Sequence, residues 1–356
     1  MPITVKPNAI SLFSGMGGDS LGLVDAGFSL KGYSEKDSIF RETHAMNFQN
    51  CSLIGNGNIL ETTDAELAAF SGITDLIFAG FPCQGFSNAG KKLPSDPRNT
   101  LFREFVRATK LIKPKYIIGE NVKGLLKRKT VDDEYFLDVI QREFTNIGYR
   151  TMFRLFKVSN YGVPQKRERL IIIGTRLEDK VLKFPTELNV VPTIEPIIQF
   201  SMEGTYKVPS DYFQELGVEE HSIVTDLSNQ EEASGAHPYL VSKMEPPEDR
   251  LTYNGKTFTT LMSYSKRVSP VHCEILNLRA PCKTLICSYD HQPRLFVAMR
   301  NSRGDFIRSL TVDEQKQIQG FPADYQIAGN LKQKTVQIGN AVPPPLIKQI
   351  AETLVG

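Results

Sequence analysis

The 356-residue chain has no tryptophan, five cysteines, five histidines and no apolar run of the ~18 residues that a membrane-spanning helix needs. The missing run argues against a membrane protein. Met1 to Ala9 carries Lys6 but no apolar core of an export signal, so the protein is expected to stay inside the cell. An odd, scattered set of cysteines fits reduced thiols better than a disulfide framework. His272, Cys273, Cys282, Cys287 and His291 match no paired-ligand spacing for zinc, and no metal is expected. Repeats and low-complexity tracts are absent. The missing tryptophan excludes no function.

Charge of either sign is nearly balanced, with 42 Lys+Arg against 40 Asp+Glu and a net +2. That sum does not announce a nucleic-acid partner, but its distribution is uneven. Thr186 to Asp249 holds 2 basic and 13 acidic residues, whereas Arg250 to Met299 holds 7 basic and 2 acidic. A polyanion would be repelled by the first segment and attracted by the second.

The length suits two or three domains, and 40% hydrophobic with 23% charged residues describes a globular chain. The first half alternates apolar runs with amphipathic segments, the pattern of βαβ units around a doubly wound, mostly parallel sheet. Strands are expected at Ala9 to Phe13, Ser29 to Ser34, Asp75 to Ala79, Lys115 to Gly119, Thr151 to Val158 and Arg169 to Thr175. Helices are expected to start near Asp19, Ser38, Thr100 and Asp133. After Pro185 the composition shifts to Pro, Ser, Glu and Gly with short β-like runs, Thr257 to Met262 and Thr284 to Ser288, which reads as a second domain. A helix start at Thr311 and a last helix over Pro343 to Val355 are expected to return to the first domain.

Residues 80 to 88 read Gly-Phe-Pro-Cys-Gln-Gly-Phe-Ser-Asn, just after the apolar run Leu76-Ile77-Phe78-Ala79. The loop after a buried parallel strand opens on the ligand crevice of an α/β sheet, so Cys83 is a candidate nucleophile. Pro82 stiffens the approach to it, while Gly85 and Gly90 free the segment to Asn99 to act as a lid. Taken alone, a free cysteine is as well explained by packing. Ser14-Gly15-Met16-Gly17-Gly18, between a strand and a helix, lets backbone approach a ligand. The strict dinucleotide fingerprint is not met, which argues against a nicotinamide dehydrogenase. Glu35, at the end of the next strand, can accept both hydroxyls of a ribose. Glu120 falls at the same sheet edge as Cys83, where burial would raise its pKa and let it hold a proton. Gln165, Arg167 and Arg169 alternate on one face and can hold a phosphate or a base carbonyl. Each of these also reads as an ordinary turn or charged surface when taken alone.

Their order is more specific. Phe13 to Gly18, Glu35, Pro82-Cys83-Gln84, Glu120-Asn121-Val122, Gln165 to Arg169, Gln319-Gly320-Phe321-Pro322 and Gly339-Asn340-Ala341-Val342 closely resemble, in sequence order, the motifs of the DNA (cytosine-5)-methyltransferases. The resemblance covers residues 10 to 180 and 300 to 355. It implies a Rossmann-like class I S-adenosylmethionine-dependent domain over 1–185 plus 300–356. A smaller, irregular, β-containing target recognition domain would occupy 186–299.

By that resemblance Cys83 attacks carbon 6 of a flipped-out cytosine, which makes carbon 5 nucleophilic. Glu120 hydrogen-bonds N3 and the amine, Arg169 and Arg167 hold O2 and a phosphate, and Asn121 braces the lid. Gln84, Ser87 and Asn88 are candidates to fill the vacated stack. S-adenosylmethionine, leaving as S-adenosylhomocysteine, would contact Phe13, Ser14, Gly15, Met16, Gly17, Glu35, Lys36, Asn58, Ile59, Pro82, Leu101, Asn340 and Ala341. Duplex DNA would meet Ser87, Lys91, Lys92, Arg98, Gln165, Lys256, Lys266, Arg267, Thr284 and Arg294. Arg279 and Lys283 are further candidates, with Tyr264, Tyr289 and His291 interleaved. The match departs from the family at Ser11, commonly aspartate, at Asn58, commonly an aspartate that meets the adenine amine, and at Lys36. The setting implied is a monomeric, stand-alone enzyme of a bacterium, phage or large DNA virus, associated in function with a restriction endonuclease of the same specificity. A transfer-RNA methyltransferase of the same family would carry a Cys-Phe-Thr signature that is missing, and a silent DNA-binding relative would have lost Cys83 or Glu120.

Overall fold

The computed structural model describes residues 6–82, 101–130, 132–234, 240–244, 252–253, 256–257, 261–264, 274–289 and 294–355. Seven strands form the main sheet: β1 (Asn8–Leu12), β2 (Ser29–Ser34), β3 (Ser52–Leu53), β4 (Leu76–Ala79), β5 (Tyr116–Val122), β6 (Arg150–Lys157) and β7 (Glu168–Thr175). Their spatial order is β3-β2-β1-β4-β5-β7-β6. The first five pair in parallel, and β7 runs antiparallel between β5 and β6.

Parallel strands covered on both faces carry apolar side chains at every position, and β4 is buried throughout. Ile77 and Ala79 join Ile10, Leu12 and Ile117 on one face, beneath α3 (Asp64–Ala68), α4 (Phe102–Ile112) and α5 (Phe136–Asn146). Leu76 and Phe78 join Ala9 and Ile118 on the other, beneath α1 (Gly18–Asp25) and the last helix of the chain. Between α1 and α3 lies α2 (Ser38–Asn47). The α4 helix buries Phe102, Phe105, Ala108 and Ile112, and it ends where Lys113 turns left-handed before Pro114.

The second sheet comprises β8 (Tyr206–Lys207), β9 (Ile223–Asp226), β14 (Glu274–Ile275), β15 (Leu295–Asn301) and β16 (Gly304–Ser309). The short α6 (Tyr212–Glu215) lies between β8 and β9. Two small antiparallel pairs, β10 (Leu240–Met244) with β13 (Leu261–Tyr264) and β11 (Thr252–Tyr253) with β12 (Lys256–Thr257), stand apart from it. The boundary expected at residue 299 falls inside β15, and the sheet continues to Ser309. Three helices close the chain: α7 (Val312–Ile318), α8 (Leu331–Asn340) and α9 (Pro344–Val355). One apolar cluster joins Leu276, Leu285 and Met299 to Phe321, Ile338 and Met16, so the second sheet is packed onto the first motif.

Three expectations are corrected. β5 runs three residues past Gly119, because Glu120, Asn121 and Val122 pair with Ile171, Leu170 and Arg169 of β7. Helix α5 begins at Phe136 rather than near Asp133, which adopts φ +64° in the preceding turn. Thr284 to Ser288 is an irregular segment, in which the Leu285 N–H and C=O pair with the side chains of Gln165 and Arg167 in place of a neighbouring strand. Among the described residues no helix is long and apolar enough to cross a membrane.

Candidate active site

The turn between β1 and α1 is tightly coiled, with left-handed φ at Phe13 (+57°), Gly15 (+54°) and Gly17 (+93°). The second glycine is required in earnest, because a Cβ there would stand 2.6 Å from the Phe48 ring. Ser14 N donates to Ser34 O at 3.0 Å, which fastens the turn to the end of β2. Glu35 follows immediately. Its Oε2 accepts from Gly15 N at 2.9 Å and its Oε1 from Asp37 N at 2.8 Å. Burial holds this carboxyl above its ordinary range, against those hydrogen bonds. The loop after β3 closes the same crevice: a Cβ on Gly57 would lie 2.5 Å from Glu35 O. Asn58 gives its Nδ2 to Glu61 Oε1 at 2.6 Å and receives Leu60 N on Oδ1 at 3.3 Å, and Ile59 is buried. The Ser14 hydroxyl is buried without a partner among the described residues. An oriented carboxylate and an orphaned hydroxyl flanking a coiled backbone turn fit a nucleoside ligand with a ribose diol.

The second constellation lies across the sheet edge. Glu120, in β5, is 8% exposed, and its Oε1 is 2.6 Å from Arg169 Nε on β7. Burial raises the Glu120 carboxyl, and the guanidinium opposes that rise. A Cβ on Gly80 would stand 3.9 Å from Glu120 Oε2 and 3.6 Å from Phe13 O, so the carboxyl sits beside the segment leading to Cys83 and beside the coiled turn. Asn121 Nδ2 donates to Phe81 O at 2.9 Å and braces that segment. Cys83, Gln84, Ser87, Lys91, Lys92 and Arg98 lie outside the described residues, as do Lys266, Arg267 and His291. Lys256 and Tyr264 fall in β12 and β13, whose side chains are also undescribed.

Several expected contacts have other partners. Arg167, 2% exposed, donates from both terminal nitrogens to Gly339 O at 3.1 Å and from Nη1 to Leu285 O at 3.5 Å, which ties Leu285 to the α8 terminus. It is not free to hold a phosphate. Gln165 is fully buried, donating to Gln319 Oε1 at 2.7 Å and accepting from Leu285 N at 3.3 Å, so it cannot reach DNA here. Met16 and Ala341 are buried in the core behind the turn. Tyr289 is buried too, Lys283 pairs with Glu274, and Arg279 faces Glu195 at 3.9 Å. Thr284 is exposed and donates to Lys166 O at 3.2 Å, while Arg294 is half-buried. Pro82 and Leu101 are half-buried, and Lys36 is exposed. Asn340 accepts the Cys287 thiol at 2.9 Å. Two participants escaped sequence reasoning. Arg107 donates to Ile59 O and Thr62 O, both at 3.0 Å, and so fixes the loop after β3 to α4; Asp19 lies beneath the coiled turn. Arg107 had a signal, a cation on a helix following the candidate lid.

The family model for C-5 cytosine-specific DNA methylase matches residues 8–356. Type II methyltransferase M.DdeI of Desulfomicrobium norvegicum is 30% identical over 387 residues, covering 98% of this chain and 88% of that protein. Type II methyltransferase M.XorII of Xanthomonas oryzae pv. oryzae is 31% identical over 370 residues, covering 97% and 84%. Among solved structures, a DNMT2 mutant from Spodoptera frugiperda superposes with a TM-score of 0.64 at 18% identity, covering 98% of this chain and all of that one. Entamoeba histolytica methyltransferase EhMeth gives a TM-score of 0.64 at 16% identity, covering 99% and 98%. These two likenesses concern the fold.

Proposed function

Because the chain belongs to the C-5 cytosine-specific DNA methylase family, a family of S-adenosylmethionine-dependent enzymes, we propose that it methylates carbon 5 of a cytosine flipped out of a short, specific duplex DNA sequence. S-adenosylmethionine supplies the methyl group. Phe13, Ser14, Gly15, Gly17, Glu35, Asn58, Ile59 and Asn340 hold it, with Glu35 accepting the ribose hydroxyls.

Cys83 attacks carbon 6 of the cytosine and forms a covalent adduct, which makes carbon 5 an enamine nucleophile. Glu120 holds a proton for N3 and accepts from the exocyclic amine, which spreads the charge of the adduct. Arg169 orients that carboxyl and faces O2. Once carbon 5 carries the methyl group, loss of its proton and departure of the Cys83 thiolate restore the ring as 5-methylcytosine. Flipping the base costs a few kcal/mol, and residues 83–99, with Lys91, Lys92 and Arg98, close over the strand. Residues 186–299 recognise the target, with the basic segment from Arg250 toward DNA. The Type II names of the similar proteins favour a modification enzyme that acts beside a restriction endonuclease.

The observation that carries this reading is the buried Glu120–Arg169 pair next to Gly80, an acid poised at the start of the cysteine-bearing segment. Methyl transfer to duplex DNA and to transfer RNA, measured in parallel, tests it. Labelled 5-methylcytosine in one short DNA context is expected; transfer confined to RNA, or DNA binding without transfer, would overturn it.

A further inference from the structure

One buried ionisable group has no part in that chemistry. Asp19, in the first turn of α1, is 1% exposed, and its Oδ2 accepts the Ser11 hydroxyl from β1 and, at 3.4 Å, the Ser20 hydroxyl. Ser11 and Asp19 stand at the two ends of the coiled turn that contains Phe13, Gly15 and Gly17. Their hydrogen bond closes that turn at its base. Position 11, where the family resemblance leads one to expect aspartate, carries a hydroxyl, and the carboxylate arrives from position 19 instead. We propose that Asp19 is the positioning residue of this turn, holding residues 13–17 through Ser11 in the conformation that receives S-adenosylmethionine. The inference rests on the reading of that turn as the cofactor site.

The surroundings explain why this carboxylate is costly and what keeping it achieves. Burial pushes Asp19 up to about 7, against the hydrogen bonds it accepts from Ser11, Ser20 and the backbone of its own turn. The titratable groups facing it are Cys51 before β3, Tyr325 after α7 and, through Ser20 at 3.0 Å, His44 of α2. Burial pushes His44 down to about 3 and keeps it neutral. Among the described residues no lysine or arginine pairs with Asp19. A folded value near 7 against an ordinary 3.8 means that this group's contribution to stability falls as pH rises between those values and stays low above them. Removing the charge therefore relieves the fold at pH 8. A residue that served stability alone would behave in the opposite way.

The test is calorimetric binding of S-adenosylmethionine to the full chain at pH 6 and pH 8, with melting temperatures, for wild type, Asp19→Asn and the exchanged pair S11D/D19S. Asp19→Asn is expected to weaken binding at pH 8 by about tenfold or more, the scale of one hydrogen bond to a charged group, while its melting temperature at pH 8 holds or rises. Wild-type affinity falls from pH 8 to pH 6 more steeply than that of Asp19→Asn; Glu35 is the same in both proteins, so the difference belongs to Asp19. The exchanged pair regains most of the affinity. Wild-type affinity in Asp19→Asn at pH 8, or a loss of affinity that tracks a lower melting temperature and is not regained by the exchanged pair, would overturn the inference alone. A wild-type chain that binds no S-adenosylmethionine would overturn the cofactor reading as well.

Discussion

Glu120 and Gln165 are both polar and buried, yet opposite outcomes are expected of them, because Glu120 is proposed to face the substrate base and Gln165 is paired within the fold. Burial raises the Glu120 carboxyl against the opposing Arg169 guanidinium, so a proton is held to higher pH than on an ordinary carboxylate. Glu120→Gln keeps the shape but cannot exchange that proton. Methyl transfer is expected to fall by about 10²- to 10⁴-fold, the usual contribution of a positioned acid, with S-adenosylmethionine affinity within about twofold of wild type. Gln165 instead spends both ends of its amide on Gln319 and Leu285. Gln165→Ala strands the Leu285 backbone N–H and the Gln319 amide oxygen, which costs about 1–3 kcal/mol for each group left unpaired. Urea unfolding should register that cost, and the salt dependence of DNA binding should not move.

Helices α1 and α9 approach each other closely because of one glycine. A Cβ on Gly22 would lie 2.6 Å from Pro344 O and 2.8 Å from the Ile347 Cβ, so the absence of a side chain sets the spacing of the two helices. Gly22→Ala is expected to cost about 1–3 kcal/mol as overpacking, read as a lower denaturant midpoint. Elements of this kind were largely legible: β2 spans Ser29–Ser34 as expected, and β4 follows from a short apolar run bounded by Asp75 and Gly80. The helix over 331–340 was missed although its start is written locally, in the Asn330–Gln333 capping box, because it buries few apolar side chains. The extension of β5 was not legible. Glu120 and Asn121 are polar, and only pairing with β7 makes them strand. The roles of Gln165 and Arg167 were hidden for a related reason, since their partners lie 154 and 172 residues away along the chain. Glu35 and Glu120 were legible as carboxylates directly after the runs expected at Ser29 to Ser34 and Lys115 to Gly119, whereas the role given to Cys83 falls outside the described residues.

Across the whole molecule the charge is divided rather than summed. Arg250 to Met299 carries 7 basic against 2 acidic residues, and the preceding segment is acidic. Reversing Lys266 and Arg267 to glutamate is expected to weaken duplex binding at every sequence and to flatten the dependence of log affinity on log salt by about one unit for each phosphate no longer neutralised. An unchanged slope would place the DNA elsewhere. The reaction itself is tested most directly by incubating the chain, with S-adenosylmethionine, with duplexes in which 5-fluorocytosine replaces cytosine, because fluorine at carbon 5 blocks the proton loss that frees the enzyme. A covalent protein–DNA complex that survives denaturation, requires S-adenosylmethionine and disappears in Cys83→Ser is expected; a chain that methylates DNA with no such complex, or that forms it equally with Cys83→Ser, would contradict the proposed mechanism.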